Sequence, residues 1–221
     1  MSSHHIVRQN QEPALIIANG QACNFELLGQ LLEWSPFIIV LDGALHRVLD
    51  LGIHFDVVLG DFDSISDADR KRVEALGIKL VHAPNQEKTD LQKGLDYLIE
   101  HEHSAVNIVW ATGLRADHSF NNICTLGWYK DKIQATILDD HSRIYVLPQS
   151  FTKKFNTNDI LSLIPLGKVS GIHSTGLQYP LNDHVLSTDT NAGSSNKVVG
   201  DGLVTIQYKT GTLLAMECID L

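Results

Sequence analysis

Two short acidic stretches, Gly60-Asp61-Phe62-Asp63-Ser64-Ile65 and Thr89-Asp90, hold the residue types and spacing best suited to chemistry in this 221-residue chain. The first follows Val57-Val58-Leu59, an apolar run that reads as a buried strand. Side chains two apart in extended backbone leave from the same face, so Asp61 and Asp63 are expected to converge on one hard cation. Mg²⁺ takes octahedral oxygen ligands, usually one or two carboxylates with waters and substrate phosphates. Open α/β sheets bind ligands beyond the carboxyl ends of their strands, which is where these acids fall. Alone, the pair reads equally well as a turn with solvated acids and a helix cap.

The neighbouring strand ends shift that balance. Asp42-Gly43-Ala44 follows the apolar run Phe37–Leu41, and Gln86-Glu87-Lys88-Thr89-Asp90 follows Ile78–His82. Gly113-Leu114-Arg115-Ala116-Asp117-His118 follows Val106–Trp110. Asp42, Asp61, Asp63, Asp90, Arg115 and Asp117 are thereby collected at one edge of a parallel sheet. Carboxylates with one Arg at a common edge have the composition of a metal-assisted phosphoryl-transfer site. Arg115 can pair bidentately with phosphate oxygens and stays charged at any working pH; its bland role is a salt bridge to Asp117, which ranks lower in a Gly-led loop. Asp117 reads evenly as a hydrogen-bond acceptor for a substrate alcohol or amine and as a cap, and His118 as a structural histidine. No Gly-x-x-x-x-Gly-Lys-Ser/Thr loop and no Gly-x-Gly-x-x-Gly is present; Asn19-Gly20 is all that follows the first strand.

These blocks, Leu41-Asp42-Gly43-Ala44, Val58–Ile65, Gln86–Asp90 and Gly113–His118, resemble thiamine pyrophosphokinases in order and spacing. Ser174-Thr175-Gly176-Leu177-Gln178-Tyr179-Pro180-Leu181 and Ser195-Asn196 are similar to that family's later signature. The resemblance spans nearly the whole chain from Ala14. It implies an enzyme that moves the terminal diphosphate of ATP onto the alcohol of thiamine and releases AMP. It further implies Asp61, Asp63 and Asp90 as Mg²⁺ ligands, with Asp42 a further acid at the metal, direct or through water, and Gln86 near thiamine or phosphate. Tyr179 would offer a face to the cationic thiamine ring, and Ser195 and Asn196 would bond the pyrimidine edge. Homodimers with each site shared between one subunit's nucleotide domain and the other's β domain are implied as well. Ala44 and Leu114 stand where the family usually has Gly, and Tyr179 where many members have Trp. Leu114 is therefore expected to narrow the phosphate approach, and Tyr179 to stack less strongly. Two rival readings are a diphosphokinase for another alcohol, such as a hydroxymethyl pterin, and a non-enzymatic thiamine-binding module; the second has no need of Asp61, Asp63, Asp90 and Arg115 together.

The elements that must position these residues follow from patterning. The first two thirds alternate apolar runs with helical patterns, the signature of βα units. Strands are expected at Ala14–Ala18, Phe37–Leu41, Asp56–Leu59, Ile78–His82, Val106–Ala111 and Ile133–Leu138. Helices are expected near Asn24–Trp34, Ala44–Leu51, Ser66–Leu76, Asp90–His101 and Asp117–Lys130. In the fourth helix Leu91, Leu95, Leu98 and Ile99 make one apolar stripe, and Thr89 with Gln92 makes a capping box. Beyond Pro148 short strand-like runs replace helical periodicity: Ile160–Ile164, Lys168–His173, Leu203–Gln207 and Leu213–Cys218. Arg143–Leu147 fits either side, and Thr188–Gly202 reads as an exposed loop. The expected architecture is α/β: a Rossmann-like parallel-sheet domain over 1–147 and a smaller antiparallel β-sandwich over 148–221.

Composition agrees with that. Apolar residues make up 43% and charged residues 19%, as in an ordinary globular protein. The net charge of −9 with no basic run argues against nucleic acid and anionic membranes. An acidic protein that binds polyphosphate needs a cation between them. Three scattered cysteines, Cys23, Cys124 and Cys218, suggest reduced thiols in the cytoplasm. No stretch reaches membrane-spanning length, and the polar start around His4-His5 reads as disordered and unlike a secretory signal.

Overall fold

The computed structural model describes residues 13–219, so the expectation for His4-His5 falls outside it. The chain divides into two compact units, one running to Thr125 with residues 131–135, the other comprising 126–130 and the remainder from Thr136.

The first unit is a parallel sheet of β1 (Ala14–Ile17), β2 (Ile38–Leu41), β3 (Val57–Gly60), β4 (Lys79–His82) and β5 (Ala105–Val109), in the order β4-β3-β2-β1-β5. β1, β2 and β3 are buried along their whole length, which is why they read as continuous apolar runs. Between the strands lie α1 (Phe25–Leu32), a 3₁₀ turn over Asp42–Ala44 that runs into α2 (Leu45–Asp50), α3 (Asp67–Ala75) and α4 (Asp90–Glu100). α5 (Ala116–Tyr129) follows β5. Helix starts are set by local chemistry. Asn24, Ser66 and Thr89 each accept an N–H from the first turn, and Thr89 with Gln92 completes the capping box. α4 buries Leu91, Leu95 and Leu98, and Gly94 lets its backbone come close to Ile16 of β1, where a Cβ would sit 3.3 Å from the Ile16 side chain.

β6 (Gln134–Leu138) leads into β7 (Ser142–Val146), which lies in the second unit ahead of the expected 147/148 boundary. The second unit continues with β8 (Ser150–Lys154), β9 (Ile160–Thr175), β10 (His184–Ser187), β11 (Gly193–Lys197), β12 (Leu203–Gln207) and β13 (Thr210–Cys218). All its pairings are antiparallel: β6 with β7, β7 with β13, β13 with β9, β9 with β12, β12 with β8, and β10 and β11 each with β9. Leu161, Leu163, Val169, Ile172, Val204, Ile206 and Leu213 form its core.

Two expectations are corrected here. Ile160–Ile164 and Lys168–His173 are one 16-residue strand, since Gly167 and Gly171 take positive φ (79° and 68°) and turn the ribbon without ending it. The segment Thr188–Gly202 is not all loop, for it contains β11. Among the described residues, no helix is long and apolar enough to cross a membrane.

Candidate active site

A cleft of about 670 Å³ opens at the carboxyl ends of the first unit's strands. Asp42, Asp61, Gln86, Asp90, Arg115 and Asp117 all line it, so six of the seven residues expected in this unit meet there.

Asp42 is buried at the end of β2 and works as a staple. Its Oδ1 accepts the Gly43 N–H at 2.7 Å, and its Oδ2 accepts the Phe62 N–H at 3.0 Å, tying the loop after β3 to the end of β2. Gly60 makes this possible, because a Cβ there would collide with the Asp42 carboxylate. Burial pushes the Asp42 pKa up; the Phe62 N–H offsets part of this, and the charges of Asp90 and Asp61 push the same way as burial. Asp61 is held below the ordinary carboxylate range, chiefly by the Asp63 N–H and then by the Gln86 amide, which donates to Oδ2 at 3.2 Å. Gln86 therefore orients Asp61.

Asp63 does not line the cleft. The expectation that it shares a face with Asp61 assumed extended backbone, whereas Phe62 sits at φ 67° and the chain turns between the two acids. Asp63 is exposed and offers Asp61 its N–H instead of its carboxylate.

Asp90 opens α4 and pairs at 3.0 Å with Lys93, whose side chain is only 7% exposed. Sequence reading missed Lys93; the signal was its i,i+3 spacing from Asp90 on the helix face that also carries the apolar stripe. On the opposite rim Arg115 and Asp117 form a two-point pair, with Nε donating to Oδ1 at 3.1 Å and Nη2 to Oδ2. This is the arrangement ranked lower from sequence. Gly113 (φ 73°) and Leu114 (φ 53°) turn the backbone so that Arg115 folds onto the first turn of α5, within reach of Asp117. The guanidinium holds the Asp117 carboxyl down at about 2. Leu114 is 71% exposed at the cleft, and Ala44 is fully buried. His118 also lines the cleft.

The hard oxygen donors suit Mg²⁺. Among the described residues no three acidic, His or Cys side chains gather into a ready-made metal cage. Mg²⁺ does not require one, since it keeps waters and completes its shell with phosphates. The like charges on Asp61 and Asp90, which already raise Asp42, are the local feature a cation would relieve.

In the second unit Tyr179 is 65% exposed while its main chain is clamped. Asn196, 6% exposed, accepts the Tyr179 N–H at 3.0 Å and donates to the Tyr179 carbonyl at 2.8 Å. Its Oδ1 also takes the Lys197 N–H at 3.0 Å. Asn196 thus commits its oxygen and one of its two N–H bonds to backbone, which fixes the Tyr179 main chain. Ser174 holds the far end of the same loop through Leu181, with its N–H and Oγ each engaged at 2.9 Å. Ser195 is exposed at φ 55°, pinned by its N–H to the Ser162 Oγ at 2.9 Å.

Residues 28–137 match the family model for the thiamin pyrophosphokinase catalytic domain, and residues 149–213 that for the thiamin pyrophosphokinase vitamin B1 binding domain. The chain belongs to the thiamine pyrophosphokinase family. Its similarity to the thiamine pyrophosphokinase of Bacillus subtilis (strain 168) is 29% identity over 200 residues, covering 88% of this chain and 92% of that protein. Thiamin pyrophosphokinase 1 of Caenorhabditis elegans is 27% identical over 179 residues, covering 74% and 72%. The crystal structure of the Bacillus subtilis thiamine pyrophosphokinase superposes with a TM-score of 0.81 at 28% identity, covering 95% of this chain and all of that one. The yeast thiamin pyrophosphokinase structure, at 16% identity, shares the fold with a TM-score of 0.83 over 94% and 86%. Within a thiamine pyrophosphokinase the two sequence signatures take on separate tasks here. The acidic blocks and Arg115 build the cleft of the first unit, and the Ser174–Leu181 and Ser195-Asn196 blocks build a rigid aromatic loop in the second.

Proposed function

We propose that this protein is a thiamine diphosphokinase: the thiamine alcohol oxygen attacks the β-phosphorus of ATP, the bond from that phosphorus to the α,β-bridging oxygen breaks, and AMP leaves with that oxygen. The observation that carries this is the convergence of Asp42, Asp61, Asp90 and Arg115 on one cleft of a family member. Mg²⁺ held by Asp61 and Asp90, with Asp42 behind them, would supply charge neutralisation to the phosphates; Asp63, outside the cleft, is not assigned to it.

The chain's own residues do the positioning. Asp42 fixes the loop that presents Asp61, and Gln86 sets the Asp61 carboxylate plane. Arg115 is stored on Asp117 and is exposed, so incoming phosphate oxygens can take over its donors; a polyphosphate offers more charge than one carboxylate. Until that handover Asp117 is ionised and orients the guanidinium, and the alcohol proton departs late, as a loose phosphoryl-transfer transition state allows. Tyr179 supplies a face for the cationic ring of thiamine, its rigid main chain supporting that reading. The functional molecule on this reading is a cytoplasmic homodimer whose sites each draw Asp61 from one subunit and Tyr179 from the other.

The test is AMP release from ATP with Mg²⁺, with and without thiamine, in wild type and Asp61→Asn. AMP release that requires thiamine and disappears in the variant is expected. Release driven by a hydroxymethyl pterin and not by thiamine would favour the rival alcohol, and no release with either would leave a binding module.

A further inference from the structure

The Asn19-Gly20 turn is a strand end to which the diphosphate-transfer reading gives no task. It sits at a particular place in the sheet. In the order β4-β3-β2-β1-β5 the strands step outward from β1 to β4, and β5 then returns to the other side of β1. In open parallel sheets such a reversal opens the crevice that takes ligands. The end of β1 therefore lies between the end of β2, with Asp42, and the end of β5, with Gly113 to Arg115. Asn19 and Gly20 line the same cleft.

The Asn19 amide has a defined sense. Arg47 of α2 donates Nη2 to the Asn19 Oδ1 at 3.0 Å and Nη1 to the Gly20 carbonyl at 3.0 Å. A guanidinium carries donors only, so the atom facing it is the oxygen and the NH₂ group points away. Nδ2 lies against Gly43, where a Cβ would collide with it, and among the described residues it has no protein acceptor. The support is stiff: Arg47 rests over the Trp110 ring, 4.6 Å from its centroid, and the Gly20 and Gln21 N–H groups bond the Trp110 and Thr112 carbonyls. Gly20 passes so close to those carbonyls that no Cβ fits. The lysines and the arginine that line the cleft are engaged, Lys88 with Asp96, Lys93 with Asp90 and Arg115 with Asp117. Asn19 is exposed, and its two amide N–H bonds, which have no protein acceptor among the described residues, are open to a ligand in the cleft.

We propose that Asn19 Nδ2 donates to a non-bridging oxygen of the ATP triphosphate, between the acidic wall and Arg115, and that Arg47 is the positioning residue that fixes the sense of the amide. The identity of the nucleotide rests on the diphosphate-transfer reading; the anion-binding role of Asn19 does not.

The test is calorimetry with Mg²⁺ and α,β-methylene ATP, which carries carbon in place of the bridging oxygen that the reaction cleaves, so binding is read without turnover. Asn19→Ala removes the donors. Asn19→Asp keeps the Arg47 contact, and with it the turn, but presents oxygen to the phosphates. Asn19→Ala should weaken binding about tenfold, as loss of one hydrogen bond to a charged group does, and Asn19→Asp by more. Inorganic tripolyphosphate should show the same losses, with adenosine and thiamine changed less than about twofold. Arg47→Lys, which cannot hold both acceptors at once, should weaken nucleotide binding in wild type and add nothing in the Asn19→Ala background. The proposal is overturned if both Asn19 variants bind like wild type, if adenosine shares the loss, if thiamine binding and melting temperature fall in step with it, or if Arg47→Lys costs as much without Asn19 as with it. Failure of the enzymatic reading shows separately, as wild-type protein that releases no AMP, and the tripolyphosphate comparison still decides the role of Asn19.

Discussion

Gly60 and Asp42 depend on each other: the missing Cβ of one leaves room for the carboxylate of the other, and that carboxylate holds the Phe62 N–H. Gly60→Ala should therefore displace Asp42 and leave Phe62 unpaired, destabilising the protein by roughly 1–3 kcal/mol and lowering turnover more than about tenfold; denaturant unfolding beside the AMP assay checks both. Asn196 acts through Tyr179. Asn196→Ala should raise the thiamine KM roughly tenfold, a loss of about 1.4 kcal/mol, with the ATP KM unchanged, and Asn196→Asp should recover part because its oxygen still accepts the Tyr179 N–H. Equal changes in both KM values would make the residue purely structural. At this scale the expectation that Asp42, Asp61, Asp90 and Arg115 share one edge agrees with the cleft they line, because a strand end can be located from an apolar run. It misplaced Asp63 and under-ranked the Arg115–Asp117 pair for one reason: both depend on positive φ at non-glycine residues, Phe62 and Leu114, which no side-chain pattern announces.

Among the elements, α4 was the most legible, since its capping box, apolar stripe and length all agree. Its C-terminal end carries a pH response that sequence did not show. The His103 N–H bonds the Leu98 carbonyl beyond the helix, and the ring is buried against Phe37, 5.2 Å between centroids, with Nδ1 unpaired. Burial, with a smaller push from His101, holds its pKa below the usual histidine value. A depressed folded-state pKa means full stability above the unfolded value, near 6.5, and loss as pH falls from there toward the folded value. Melting temperature should therefore drop over that window, and His103→Phe should reduce the slope; an unchanged slope would contradict the assignment. The second unit was less legible. β8, β10 and β11 are short and largely exposed, with little apolar alternation to reveal them. Arg143–Leu147 lacked a partner in sequence; pairing with β13 places Ser142–Val146 in the second unit.

For the whole molecule the question is how two units, one with the acidic cleft and one with the clamped tyrosine, serve one reaction. Tyr179→Ala should raise the thiamine KM about tenfold, since stacking on a cation is worth on the order of 1–2 kcal/mol when desolvated. In a homodimer with shared sites, mixing Asp61→Asn with Tyr179→Ala subunits gives heterodimers with one doubly defective and one intact site, so activity should partly return. No return despite confirmed subunit exchange would place both residues of a site in one chain. The central claim is that a diphosphoryl group moves in one piece, and product analysis with β-labelled ATP, Mg²⁺ and thiamine tests it most directly. Labelled thiamine diphosphate and AMP should form in equal amounts, and neither should form with Asp61→Asn. ADP with thiamine monophosphate, or ATP consumed with no label on thiamine, would contradict it.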